Sequence, residues 1–112
     1  IKSRAAVTTI TGNRIQDGSA AASYSIDIPD GGVATITGNT IEKGPAAANR
    51  FAIHFGGEAD PSKPGSSLTV KDNVLINDRA AGGTAIYNAS TDGAGGSYPA
   101  VVDGNTVRVE EN

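Results

Sequence analysis

A ten-residue segment occurs almost unchanged twice in this chain of 112 residues. TITGNRIQDG spans 9–18 and TITGNTIEKG spans 35–44, and looser versions follow as TVKDNVLIND at 69–78 and VVDGNTVRVE at 101–110. Alignment of the four segments brings their asparagines into register at spacings of 26, 34 and 32 residues: Asn13, Asn39, Asn73 and Asn105. Self-similarity of this kind is the sequence signature of repeat architectures. The chain is therefore predicted to stack similar units on one another.

Each repeat contains three short strand patterns. Apolar and polar residues alternate before and after every asparagine, and a third apolar segment follows as YSIDI (24–28), FAIHF (51–55) and TAIYN (84–88). Fifteen glycines, many threonines and serines and no methionine favour strands and turns over helices. We predict an all-β fold in which each strand pairs in parallel with its equivalent in the next repeat, at a spacing of about 4.8 Å.

The aligned apolar positions predict the core, and the aligned asparagines predict the corners. An abrupt corner between two strands needs a residue with positive φ, which asparagine tolerates better than other residues with a side chain. The stacked asparagines are therefore expected to take this conformation and to hydrogen-bond to one another. The alternative is a β-sandwich of similar hairpins, because Gly-Asn before a strand is also a hairpin signal. The predicted inward residues are Ile10, Ile36, Val70, Val102, Ile15, Ile41, Leu75, Val107, Ile26, Ile53 and Ile86.

The ITGN-x-I pattern, with its glycine-rich bend and apolar third strand, resembles the right-handed parallel β-helix family. That family includes pectate lyase-like proteins, mannuronan C5-epimerases and phage tailspikes. The resemblance implies one domain over 1–112, a right-handed parallel β-helix of about three coils with three short strands each, located extracellularly or in the periplasm. The ends lack a convincing cap, so a fragment of a longer β-helix protein is expected. This scaffold hosts many activities, and fold alone does not fix function.

Three candidate catalytic side chains fall on the outer face of the third strands. Alternation with the inward isoleucines places Asp27, His54 and Tyr87 above one another on successive repeats. A lyase or C5-epimerase acting on an acidic polysaccharide needs a group at the sugar carboxylate, a base and an acid. Asp27 would be the orienting or carboxylate-side group, His54 the base and Tyr87 the acid, and the residue types are similar to those of mannuronan C5-epimerases. The alternatives are a non-catalytic contact with a glycan and an ordinary ladder of solvated polar side chains.

Two long loops leave the third strands at the same corner, over 56–67 and 90–99. Variable loops on one corner of a rigid scaffold usually carry binding groups, which makes Glu58, Asp60 and Asp92 candidate substrate-binding residues. With Asp103, these carboxylates could bind Ca²⁺, but no spaced acidic motif is present and no other metal or cofactor is predicted.

The hypothesis for function is a carbohydrate-interacting segment, with a structural stalk or an adhesin or tailspike module as the alternative. A net charge of −3 argues against a nucleic-acid partner, and no apolar run approaches the ~20 residues that cross a membrane. The uncapped repeats predict end-to-end or lateral self-association. A T-x-T array resembles that of some ice-binding solenoids, but the later repeats interrupt it; it comprises Thr9, Thr11, Thr35 and Thr37.

Overall fold

The structure is a computed structural model, and it describes residues 1–109. Within that range the chain forms eleven β-strands and no helix, so it has no helix that could cross a membrane. The strands are β1 Val7–Thr11, β2 Arg14–Gln16, β3 Ile26–Ile28, β4 Val33–Thr37, β5 Thr40–Lys43, β6 Phe51–Phe55, β7 Ser67–Lys71, β8 Val74–Asn77, β9 Thr84–Asn88, β10 Ala100–Asp103 and β11 Thr106–Val109.

The strands form three sheets, and every pairing between them is parallel. The first sheet has the order β1-β4-β7-β10, the second β2-β5-β8-β11 and the third β3-β6-β9. The chain therefore passes through the first, second and third sheets in turn. It then returns to the first sheet, where its next strand pairs with the strand that it formed there before. Each such passage is a circuit, and the arrangement is consistent with a parallel β solenoid. The β-sandwich of hairpins is wrong, because a hairpin joins antiparallel strands.

The strand registers confirm the columns that the repeats predict. Ile10 pairs with Ile36 and Ile36 with Val70, while Ile26 pairs with Ile53 and Ile53 with Ile86. Seven of the eleven predicted inward residues are buried in one apolar core, and Ile15 and Ile86 pack partly against it. The buried seven are Ile10, Ile26, Ile36, Ile41, Ile53, Val70 and Leu75.

The burial predicted for the fourth circuit is wrong. Val102 is 54% exposed and Val107 is 62% exposed, although both continue the aligned columns. Within residues 1–109 their strands β10 and β11 have a neighbour on one side only. Because no further circuit within that range covers this end of the stack, the two inward side chains remain exposed.

The positive φ at each corner belongs to the residue before the asparagine. The φ values are 69° at Gly12, 67° at Gly38, 56° at Asp72 and 65° at Gly104. The prediction that the asparagines themselves take this conformation is therefore wrong. Three of the four positions are glycine, which has no Cβ to oppose a left-handed conformation. The bend is made there, and the asparagine side chain is left free to form hydrogen bonds.

The asparagines form a continuous ladder through the corners, as predicted. Asn39 Oδ1 accepts from the backbone N–H of Asn13 at 2.8 Å, and Asn73 Oδ1 accepts from the N–H of Asn39 at 2.9 Å. Asn39 Nδ2 donates to Asn73 Oδ1 at 3.0 Å and to the carbonyl of Ile10 at 2.9 Å. The same pattern continues to Asn105. Corner backbone groups that no sheet satisfies thus find partners in the side chains of neighbouring circuits.

A lysine occupies an inward position in the second circuit. Lys43 lies two residues after Ile41 on β5, and its side chain is 2% exposed. Its ammonium group donates to the carbonyl of Ser23 and lies 3.7 Å from Asp17 Oδ2. Burial lowers the pKa of Lys43, and the nearby Asp17 carboxylate partly opposes that effect. This contact fastens the loop between β2 and β3 to the second circuit.

The ladder predicts that replacing an interior asparagine lowers the stability of the protein more than replacing the asparagine at its end. Asn39→Ala should lower the free energy of unfolding by about 2–3 kcal/mol, because the N–H of Asn13 and the carbonyl of Ile10 lose buried partners. Asn13→Ala is the matched control, and it should cost about 1 kcal/mol or less because Asn13 is exposed and its backbone N–H remains. Urea unfolding of both variants measures the difference. Equal costs would contradict a ladder that supports the interior corners.

The buried lysine predicts a distinctive effect of pH. Because the pKa of Lys43 is lowered on folding, the unfolded chain binds more protons between that lowered value and the ordinary lysine value. The free energy of unfolding of the unaltered protein should therefore rise with pH across this window, relative to that of Lys43→Met. Urea titrations of both proteins at neutral pH and near pH 10 give the difference between their free energies of unfolding. The contributions of the other titratable groups, which the two proteins share, cancel in this difference. A difference that is flat or falls with pH would contradict the assignment.

Candidate functional site

The three predicted catalytic residues lie in one column on the outer face of the third sheet. Asp27 of β3 is in register with His54 of β6, and His54 is in register with Tyr87 of β9. Their neighbours Ile26 and Ile53 are fully buried in the core, which directs Asp27 and His54 to the opposite face. Strand alternation and parallel register thus bring the three side chains together as the sequence predicts.

Asp27 and His54 form a buried hydrogen-bonded pair. His54 Nδ1 donates to Asp27 Oδ1 at 2.7 Å, and the two residues are 4% and 9% exposed. A carboxylate can only accept, so this bond places the proton of a neutral imidazole on Nδ1 and leaves the lone pair on Nε2. No hydrogen bond from residues 1–109 reaches Nε2. The pair therefore presents a fixed imidazole with a free acceptor atom.

Aromatic rings surround the imidazole. The ring of Tyr24 stacks on His54 with centroids 4.4 Å apart and planes 11° apart. The ring of Tyr87 lies 5.6 Å from His54 and stacks on Phe51 at 4.6 Å. Tyr87 is 42% exposed, so part of its ring faces solvent. The outer face of the third sheet thus combines a polar pair with exposed aromatic surface.

An open cleft of about 500 Å³ lies over this pair. A second cavity of about 290 Å³ adjoins it, sharing Lys2, Ser23, Tyr24 and Asp27, so the groove continues beyond the imidazole. A separate cavity of about 70 Å³ lies elsewhere, beside Ile41 and Leu75. The residues that line the main cleft are Lys2, Ser23, Tyr24, Asp27, His54, Gly57, Glu58 and Tyr87.

Sequence reasoning did not identify Tyr24, Gly57 or Lys2 as part of the cleft. Alternation through YSIDI would place Tyr24 on the inward side with Ile26, but β3 begins only at Ile26 and Ser25 is buried instead. Gly57 follows β6 and packs directly against His54, where any Cβ would collide with Nε2. Lys2 reaches the cleft because the first residues form a parallel bridge with Asp27. Only the aromatic character of Tyr24 was a signal in the sequence.

The three predicted substrate-binding carboxylates do not converge. Glu58 lines the cleft, whereas Asp60 is exposed on the same loop and does not line it. Asp92 Oδ1 accepts from the backbone N–H groups of Ala94 at 2.7 Å and Gly96 at 3.0 Å, and these bonds lower the pKa of Asp92. Asp92 therefore organises its own loop. The two long loops do stack as expected, since Ser62 N donates to the carbonyl of Thr91 at 2.9 Å.

The arrangement of carboxylates gives no support to a calcium site. Within residues 1–109, no three side chains of the histidine, cysteine, aspartate and glutamate types come close enough together to hold a metal ion. What the cleft offers chemically is an oriented imidazole, two carboxylates, a lysine and two phenol rings.

Comparison with family models, curated proteins and solved structures finds no match to this chain. Inferences about function therefore depend on the cleft itself.

The covering of His54 can be tested directly, because it is the single histidine of the chain. Tyr24→Ala should increase the rate at which diethylpyrocarbonate modifies His54, since the stacked ring is removed. Gly57→Ala should decrease that rate, because its methyl group would crowd Nε2. Absorbance at the wavelength of carbethoxyhistidine measures both rates. Tyr98→Ala, whose side chain does not line the cleft, is the control, and a change there equal to that of Tyr24→Ala would contradict the described stacking.

Proposed function

We propose that this chain binds carbohydrate in the cleft over Asp27 and His54, as a segment of a right-handed parallel β-helix. The observation that carries the proposal is the pairing of exposed aromatic surface with a fixed polar pair in one open groove. Tyr24 and Tyr87 supply the rings, and Asp27 and His54 supply the polar pair.

Sugars match this combination because a pyranose ring has an apolar face of C–H groups and an edge of hydroxyl groups. The C–H face packs on an aromatic ring, and tyrosine adds a polar end for the hydroxyl groups. Asp27 and His54 Nε2 can accept hydrogen bonds from those hydroxyl groups. A cleft of about 500 Å³ also falls within the usual range for small-molecule sites. Continuation of the groove past Lys2 and Ser23 suits a chain of sugar units.

An extracellular or periplasmic location belongs to the same proposal. Structural polysaccharides occur outside the cytoplasm. A scaffold of stacked repeats presents its outer faces along the length of a polysaccharide chain. A net charge of −3 is compatible with such ligands, whereas a nucleic acid would call for a basic surface.

A second candidate is proton abstraction from an acidic polysaccharide, as in a lyase or a C5-epimerase. The specific observation that favours it is the Asp27–His54 hydrogen bond, which orients the imidazole as a base. Tyr87 would then act as the acid, with its ring 5.6 Å from His54. In this alternative Asp27 orients His54 and the lysine of the cleft faces the sugar carboxylate. Glycan binding without turnover requires no base, acid or carboxylate-binding group at fixed positions, and it is the function we favour.

The decisive experiment is a binding survey by isothermal titration calorimetry and affinity electrophoresis, with neutral, amino and uronate polysaccharides. Tyr87→Ala should weaken binding about two- to tenfold, the loss typical of one aromatic contact. Tyr98→Ala is the matched control and should bind like the unaltered protein. If none of the polymers binds, the chain is a structural module such as a stalk. If proton NMR of the same mixtures shows new unsaturated or inverted sugar signals that vanish in His54→Ala, the catalytic candidate replaces simple binding.

A further inference from the structure

One carboxylate that lines the cleft lies beside two cations, Lys2 in the cleft lining and Arg4 outside it. Glu58 Oε2 lies 3.6 Å from Lys2 Nζ and 3.7 Å from Arg4 Nη2. Lys2 Nζ lies equally close, at 3.6 Å, to Asp27 Oδ2 on its other side. Glu58 is thus placed where the carboxylate of an incoming acidic sugar would otherwise find its counter-ions.

Two further basic side chains near the cleft also have an acidic partner. Arg4 Nη1 donates to Asp30 Oδ1 at 2.6 Å, and Lys63 Nζ lies 3.8 Å from Asp30 Oδ2. Arg50 lies over the Phe51 ring and does not line the cleft. Among the side chains that do line it, a single lysine faces two carboxylates, Asp27 and Glu58. In the part of the chain that the structure describes, every side-chain cation lining the cleft therefore has an acidic neighbour, while the Ile1 ammonium beside the adjoining cavity donates to the carbonyl of Ser25 at 2.8 Å.

An acidic sugar would meet an electrostatic penalty in these surroundings. Its carboxylate either displaces Glu58 from Lys2 and Arg4 or stays close to two like charges without a partner, and both alternatives cost free energy. A neutral sugar meets neither cost, because its hydroxyl groups can accept from Lys2 and donate to the carboxylates while the ion pairs remain in place.

We propose that Glu58 sets the charge selectivity of the cleft, so that it takes neutral glycans in preference to uronates. The inference rests on the proposed carbohydrate binding, and it argues against the second candidate, whose substrate carries a carboxylate. Glu58 acts as a specificity residue by holding Lys2 and Arg4, and the side chains that contact the sugar ring are Tyr24, Tyr87, Asp27 and His54.

The test compares ligands with and without a negative charge on the same sugar backbone. Oligogalacturonates and oligomannuronates are compared as free acids and as methyl esters, together with neutral glucan and mannan oligosaccharides, by isothermal titration calorimetry. The unaltered protein should bind neutral oligosaccharides and methyl esters more tightly than free acids. Glu58→Gln should improve binding of the free acids about two- to fivefold and leave that of the neutral ligands almost unchanged, as expected for one exposed charge.

Asp60→Asn is the matched control, because it removes one negative charge from the same loop at a side chain outside the cleft. It should leave the ratio of acid to ester affinity unchanged. Stronger binding of free acids by the unaltered protein, or equal effects of Glu58→Gln and Asp60→Asn, would overturn the role of Glu58 and leave carbohydrate binding standing. Failure of every ligand to bind both the unaltered protein and Glu58→Gln would overturn carbohydrate binding itself. Far-UV circular dichroism verifies that each variant is folded.

Discussion

The hydrogen bonds between asparagines of neighbouring circuits are the interaction on which the rest of the structure depends. A chain that turns a corner leaves backbone donors and acceptors that no sheet can satisfy, and a buried corner cannot leave them unpaired. Asn39 and Asn73 are each 1% exposed, and each joins the corner before it to the corner after it. Once the corners are aligned in this way, the strands on either side must pair in register. The columns of core residues on the two strands beside each corner follow from that register.

The sequence was sufficient to predict the sheets because it repeats its corners and its alternation. Aligning four asparagines gives the parallel registers directly, and the inward isoleucines then assign Asp27, His54 and Tyr87 to the outer face. The residue with positive φ lies one position before the predicted asparagine, since glycine at 12, 38 and 104 accepts a positive φ at less cost than asparagine does. Val102 and Val107 were expected to be buried because alternation gives direction, whereas burial also depends on a neighbouring circuit.

The surroundings of the candidate site were less predictable, because they come from segments outside the strands. Gly57 lies in the loop after β6 and Lys2 precedes the first strand, so neither has an aligned equivalent from which its direction could be deduced. Tyr24 aligns with Phe51 and Thr84, but it lies before the start of β3, where strand alternation does not hold. Lys43 is different, since it follows Ile41 by two residues on one strand and alternation alone places it inside. A prediction of the core that counts apolar residues alone does not include this lysine.

The loops between the third and first sheets differ greatly in length, spanning 29–32, 56–66 and 89–99, yet the strands on both sides keep their register. The corners between the first and second sheets are held by asparagine. The loops between the third and first sheets are separate from them, and segments can be inserted or deleted there without moving a strand. Glu58 lies on one of these loops, while Asp27 and His54 lie on strands of the third sheet. Exchange of these loops, by evolution or by protein engineering, would change the residues that surround the groove, and the polar pair beneath would keep its geometry.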